Sequence, residues 1–446
     1  RVEKVYDNDF VPTGDKKRME LFLKSQVGYY LFSKMYEEAV VPLKQVPDGA
    51  IPKVARIGNI CFYLGVLIEV IIMFLGKAQF TNPYEGLMFR IPFVLFVIKI
   101  LCTRYSLRDI IAMVIIGGIA VISYLTNTKD ELVRFAVFLF AMKDINLKNV
   151  LVWVYKLSVA FMILLALLSM TGILGTVFER YEGYGFKEGR WRLCLGVGNS
   201  NSLAVMIWAL MLLGIYLYHE KMRWVHYLIL TVLSVLVYYT TLTRTTLAVM
   251  LLTVLGAFIL QNCKAVRESK LIYFLGGILI LAFLGFSIWS ACVSDWHEFM
   301  DPEVVRISNL LTGRIESLSR FTDGGGHISN WTYFSAPEHD RYFDMGYVRF
   351  FYWYGIIPGA LAIALVLSSI RESYKRHDYM GFLMIMMFGL FTVVEAHIVS
   401  VYIARNYLLF LVGSYLVTML CPGRYNKPKE VYFWRIPIEI VGGSNE

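Results

Sequence analysis

Charge is scarce in this chain. Only 17% of its 446 residues are Asp, Glu, Lys or Arg, against roughly a quarter in soluble globular proteins, while 57% are hydrophobic and the mean hydropathy is +0.57. That composition excludes a soluble globular protein. An isolated strand would leave its backbone groups unpaired in lipid, so the expected fold is an all-α polytopic membrane protein. Long polar stretches are scarce too. About twelve spans of ~20 residues each leave little for a folded soluble domain. This excludes a receptor with a large ectodomain, an ATP-binding-cassette pump and an enzyme whose chemistry sits in a separate globular unit. The six cysteines show no CxxC or metal spacing and read as packing residues, so no metal or cofactor is expected. Cys194 and Cys292 alone would share the outer face, leaving one disulfide open. The formal charge of +9 is expected to reflect cytoplasmic loops, not a nucleic-acid partner. No cleavable signal is visible, because the first apolar run begins near residue 57 and no small-residue cleavage site follows it.

Apolar runs fall at about 57–75, 87–103, 110–126, 132–142, 150–175, 200–218, 225–240, 246–261, 271–291, 347–369, 381–400 and 404–420. The fourth is eleven residues long and contains Arg134, which suits a tilted, re-entrant or protein-buried segment. Counted as a crossing, with the N-terminus inside, it leaves twelve basic residues on the later cytoplasmic pieces. Six lie on the short outer pieces: Arg180, Lys187, Arg190, Arg192, Arg244 and Arg405. The expected organisation is therefore a cytoplasmic segment 1–56, nine spans over 57–291, one long extracytoplasmic loop 292–346, three spans over 347–420 and a cytoplasmic tail 421–446. Residues 17–41 suit either an interfacial helix or a partly ordered tail.

The outer face carries the candidates for chemistry. The 292–346 loop holds nine carboxylates against four arginines, with three histidines, and loops of that length are usually functional or disordered. Its FTDGGGHISN centre predicts a flexible lid or hinge. The acidic group from Asp295 to Glu303 matches no known metal-ligand loop and reads as solvated surface. Arg244 lies among five threonines at a span boundary and suits either a snorkelling anchor or an anion contact. Arg314 and Arg320 sit six apart in an amphipathic stretch. His339, Asp340, Arg341, Asp344 and Arg349 offer a base and a cation at the membrane surface, beside aromatics that form an interfacial belt or stack on sugar rings. Glu395 and His397 lie within the eleventh run, where ionisable groups are functional candidates. At i and i+2 on a helix they would point to different faces.

Three of these stretches resemble a known family, the O-antigen polymerase and ligase superfamily with its Wzy-type oligosaccharide-repeat polymerases. GNSNSLAVM, with Asn199 and Asn201, is similar to its GNPN-x-LA element. TLTRTTLAVMLL resembles S-x-SRT-x-LL and places Arg244 at the motif arginine. LTGRIESL resembles the loop's SGR element and places Arg314 at the second arginine. Counting back from Gly355 puts Asp344 where the family has the His or Asp of HN-x-YL or DN-x-YL, although Met345 replaces the Asn.

The resemblance implies a GT-C-like, metal-independent glycosyltransferase. It would polymerise undecaprenyl-pyrophosphate-linked oligosaccharide repeat units on the outer face of the bacterial cytoplasmic membrane. Donor and acceptor would both be lipid-linked, and a flippase and a chain-length regulator are implied partners. Arg244 and Arg314 would stabilise the leaving pyrophosphate, with Arg320, Arg341, Asn199, Asn201 and Glu395 in substrate binding. Asp344, or His339 after it, would act as base. A ligase transferring finished glycan to a lipid or wall acceptor differs only in that acceptor. A secondary transporter or flippase of lipid-linked sugars should show two related halves and broken helices near the midplane, and the sequence displays neither.

Overall fold

The computed structural model describes residues 53–78, 82–181, 189–295, 299–319 and 325–420. In chain order these form α1 (Lys53–Lys77), α2 (Glu85–Leu101), α3 (Leu107–Asn127), α4 (Glu131–Ala141), α5 (Leu147–Met170), a hairpin of β1 (Phe178–Arg180) and β2 (Trp191–Leu193), and α6 (Ser200–Tyr218). There follow α7 (Trp224–Thr241), α8 (Arg244–Asn262), α9 (Lys270–Val293), α10 (Pro302–Leu310), α11 (Gly346–Tyr354), α12 (Ile356–Lys375), α13 (Tyr379–Val394) and α14 (Tyr407–Leu420). Each predicted apolar run falls on one or two of these helices. Eight of them among the described residues, α1, α3, α5 to α9 and α12, are long and apolar enough to cross a membrane. The chain is a mostly helical, membrane-embedded protein. The segments 1–52 and 421–446, Arg320 and the 321–324 part of the glycine-rich stretch lie outside the described residues.

Side-chain caps fix where the helices begin. Ser106 and Asp109 form a reciprocal capping box on α3, while Asn146, Asn199 and Asp378 accept backbone N–H groups at the starts of α5, α6 and α13. The interior is built on α6 and α13, which are buried on nearly every side. Trp208 packs on Phe391 with ring centroids 4.5 Å apart and donates to Thr253 Oγ1 at 3.0 Å. The short α4 is buried as well, and its Arg134 pairs with Asp130 and donates to the Val401 carbonyl.

Two predicted spans differ in form. The 347–369 run is two helices, α11 and α12, hinged at Gly355 with φ +101°. Thr332 and Tyr333 carbonyls accept the first N–H groups of α12 there, so the loop backbone lies against the hinge. A Cβ on Gly355 would stand 2.5 Å from the Tyr333 carbonyl oxygen. Gly355→Ala is therefore expected to cost at least ~2 kcal/mol, from strain and from overpacking, measurable as a lowered thermal midpoint of the purified protein. The second difference is in the 381–400 run. Its helix stops at Val394, and the chain reaches Tyr407 as irregular backbone with one short 3₁₀ turn at Ile403–Arg405.

The long loop packs as a cap with its own core. Met300, Ile315, Leu318, Phe343, Met345, Val348 and Tyr352 are buried together with Ala396 and Val399. Gly325 and Gly326 are buried against Leu318 and Phe343, so these two glycines serve close packing and not the lid or hinge expected of them. Cys194 and Cys292 are both free thiols, and no disulfide joins them.

Candidate functional site

The hairpin and the start of α6 build one wall of the site. In the antiparallel pair β1–β2, Glu179 lies directly opposite Arg192, and their charged ends are 3.5 Å apart. Glu179 Oε1 also accepts from the Ser200 backbone N at 2.9 Å and from Ser200 Oγ at 2.6 Å. A carboxylate is thereby placed at the positive end of the α6 dipole. Arg192 is buried and donates from Nε to the Thr241 carbonyl at 2.9 Å, tying the hairpin to the end of α7. Within the GNSN stretch the two asparagines divide the work. Asn199 caps the helix through Ser202 N, and Asn201 Nδ2 donates to Glu395 Oε1 at 2.7 Å.

The opposite wall comes from the cap and from the irregular 395–406 segment. Arg314 is 7% exposed and Glu395 8% exposed, and Arg314 Nη2 donates to Glu395 Oε1 at 2.8 Å. Arg314 Nη1 is held by the Leu311 carbonyl and Thr312 Oγ1. Its Nε is buried without a hydrogen bond and points toward the Asp344 carboxylate 3.9 Å away. Burial pushes the Glu395 carboxyl above the usual carboxylate range, and the Arg314 charge only partly reverses this. Arg405 Nε donates to His397 Nδ1 at 3.0 Å while His397 Nε2 faces the Arg405 carbonyl at 3.1 Å. That pattern requires a neutral ring with its proton on Nε2. Burial, then the Arg405 charge, holds the His397 pKa well below its ordinary value, consistent with that state.

Asp344 is set by α11. The C-terminal carbonyls of that helix are capped from the bundle and from the loop: Tyr352 O accepts from Ser335 Oγ at 2.6 Å and Trp353 O from Asn127 Nδ2 at 3.0 Å. Met345, the departure from the family pattern, is fully buried in the cap core. Its side chain serves packing and lies off the site, while the Asp344 side chain before it stays 49% exposed.

Between these walls is a cavity of about 500 Å³, lined by Lys77, Arg180, Arg192, Asn201, Asp344, Glu395, His397 and Arg405 among others. With Arg314 directly behind Glu395, five basic side chains meet the three carboxylates Glu179, Asp344 and Glu395, a formal excess of two basic groups. Arg192 and Arg314 are ion-paired. Among the described residues Lys77, Arg180 and Arg405 form no ion pair. In so confined a space such cations call for an anion.

Four of the sequence-predicted residues, Asn201, Arg314, Asp344 and Glu395, converge here from four separate segments. Asn199 lines the cavity through its capping position. The expectation that Glu395 and His397 face apart is corrected. The helix ends at Val394 and Glu395 is extended, with φ −141° and ψ 135°, so residues two apart share a side and both line the cavity. Arg244 is exposed at the start of α8, beyond the Thr241 carbonyl that holds Arg192, and is not among the lining residues. His339 stacks on Tyr352, with Nδ1 3.1 Å from Ser335 Oγ, and Arg341 is exposed; neither lines the cavity. Lys77, Glu179, Arg180, Arg192 and Arg405 are the site residues sequence reasoning passed over. Three of them had a signal, as outer-face cations that run against the positive-inside bias. No protein-family model matches the chain, and no curated protein or solved structure matches it either.

Proposed function

We propose that this chain is a polytopic membrane glycosyltransferase of the polysaccharide-polymerase type. Some twelve helices would enter or cross the bilayer, with the cavity at the outer face of a bacterial cytoplasmic membrane and both termini inside. Its substrates are undecaprenyl-pyrophosphate-linked oligosaccharides, donor and acceptor alike. The observation that carries this reading is the excess of cations in the cavity, with Lys77, Arg180 and Arg405 lacking carboxylate partners among the described residues. Pyrophosphate is the leaving group such a set suits, because guanidinium forks bind phosphate oxygens bidentately and stabilise charge as it develops. The acceptor hydroxyl attacks the anomeric carbon of the donor, and the carbon–oxygen bond to pyrophosphate breaks. The hydroxyl proton passes to Asp344, the half-exposed carboxylate across from Arg314. A packed block of rings, Trp208, Phe388 and Phe391, closes the bundle behind His397. This favours chemistry at one membrane face over passage across it.

Deleting the gene is expected to collapse the surface-polysaccharide ladder to single repeats. Complementation with Asp344→Asn should fail, with activity down roughly 10²–10⁴-fold, while His339→Ala should restore long chains. A normal ladder from the deletion strain would overturn the proposal. For orientation, single cysteines at the exposed positions Tyr333 and Lys375 are expected to label from outside and from inside respectively. The reverse pattern would invert the assigned topology.

A further inference from the structure

A second recess, mostly apolar in its lining, lies in the flank of the bundle. Phe89, Arg90 and Phe93 of α2, Tyr124 of α3, and Asp130 and Arg134 at the start of α4 line a crevice of about 190 Å³. Arg134 is buried, with Nε 3.1 Å from Asp130 and its guanidinium 4.1 Å above the Phe89 ring. It also donates to the Val401 carbonyl at 2.9 Å, in the segment that carries His397 and Arg405, which sets the crevice at the same end of the bundle as the cavity. Arg90 is exposed and forms no ion pair among the described residues. Its surroundings are apolar: Leu87, Ile91 and Val94 on α2 and Val121, Ile122 and Leu125 on α3 are all exposed, and α3 is a membrane-crossing candidate. An unpaired cation on a lipid-facing wall meets lipid before it meets any dissolved anion. Arg134 is already paired with Asp130, so Arg90 supplies the uncompensated guanidinium, a fork that suits phosphate oxygens.

We propose that this crevice binds the phosphate group of a membrane lipid. The phosphate lies between Arg90 and Arg134, and its hydrocarbon chains run along the apolar ridges of α2 and α3. A glycerophospholipid and a polyprenyl monophosphate present this same chemistry. The test uses the purified, delipidated full chain in detergent, titrated in native mass spectrometry with phosphatidylglycerol, with undecaprenyl monophosphate and with uncharged diacylglycerol. At least one of the two phosphate lipids is expected to bind a copy that depends on Arg90, whichever shows the tighter Arg90-dependent binding being the source, and diacylglycerol is expected not to bind. Arg90→Ala should weaken that binding by about tenfold or more, with Arg90→Lys intermediate. Because Arg90 is exposed, the variant's thermal midpoint should match the wild type. Equal affinity for diacylglycerol, or unchanged binding in Arg90→Ala, would overturn the inference and leave the reading of the main cavity untouched.

Discussion

Arg314→Ala is expected to destabilise the folded protein by about 3–5 kcal/mol and to abolish polymer formation, because it strands Glu395 as a buried, unpaired carboxylate. Two further variants separate folding from chemistry. Arg314→Leu with Glu395→Leu removes both charges and should recover much of the lost stability, without product. Arg314→Lys keeps a charge. However, a single ammonium cannot reach Glu395, the Leu311 carbonyl and Thr312 at once, so product should stay far below wild type even where the protein accumulates. Thermal unfolding in detergent and the cellular ladder read the two effects separately. If the single and double variants proved equally unstable, the buried ion pair would not be the cause. Arg244→Ala is a useful contrast. It is exposed at the start of α8, so a lost ladder with an unchanged thermal midpoint would place it in substrate binding from outside the cavity.

Inorganic pyrophosphate is expected to bind the purified protein, and Arg405→Ala to weaken that binding roughly 10–100-fold, the range for one charge-assisted contact. Adding Arg180→Ala should bring the loss to roughly 10²–10⁴-fold, since Arg180 and Arg405 stand on different walls and do not share a partner. Calorimetric titration at two ionic strengths would report it, with weaker binding at higher salt. Unchanged affinity in the double variant would remove the observation on which the proposed function rests. His397 bears on this result through geometry. It accepts from Arg405 Nε and so leaves the two terminal nitrogens of that guanidinium to the cavity.

Hydropathy reveals where helices lie, and here every apolar run falls on one or two of them. It is blind to where a helix stops for a reason other than polarity. Nothing in YGIIPG distinguishes Gly355 from an ordinary first-turn glycine until the Tyr333 backbone is seen against it. Val394 ends α13 in the middle of an apolar run, so the shift from helical to extended geometry that brings Glu395 and His397 to one side left no trace in composition. The site was legible where short motifs mark helix starts, at Asn199 and Asn201, where a charged residue interrupts an apolar run, at Glu395, and where the family resemblance pointed, at Arg314 and Asp344. Arg180, Arg192 and Arg405 were visible only as an excess that weakened the topology count. Their convergence depends on a three-residue strand pairing and on a chain reversal between α13 and α14, both tertiary facts. Met345 illustrates the opposite error, a motif mismatch that turns out to be a core residue.

The shortness of the helices around the site has a consequence for the bilayer. At 1.5 Å per residue, α4 and α13 reach only about 16 and 24 Å, against ~30 Å of hydrocarbon. Eight other helices are long enough to span it and these two are not, so in the proposed orientation the mismatch would be absorbed locally by the protein's polar end sinking into the membrane. Irregular backbone such as 395–406 would be tolerated at that depth because it borders the cavity. In that orientation the cavity would be a well set below the headgroup plane. A charged group tethered to a hydrocarbon chain can meet Lys77 and Arg405 there without any of that chain being drawn out into water.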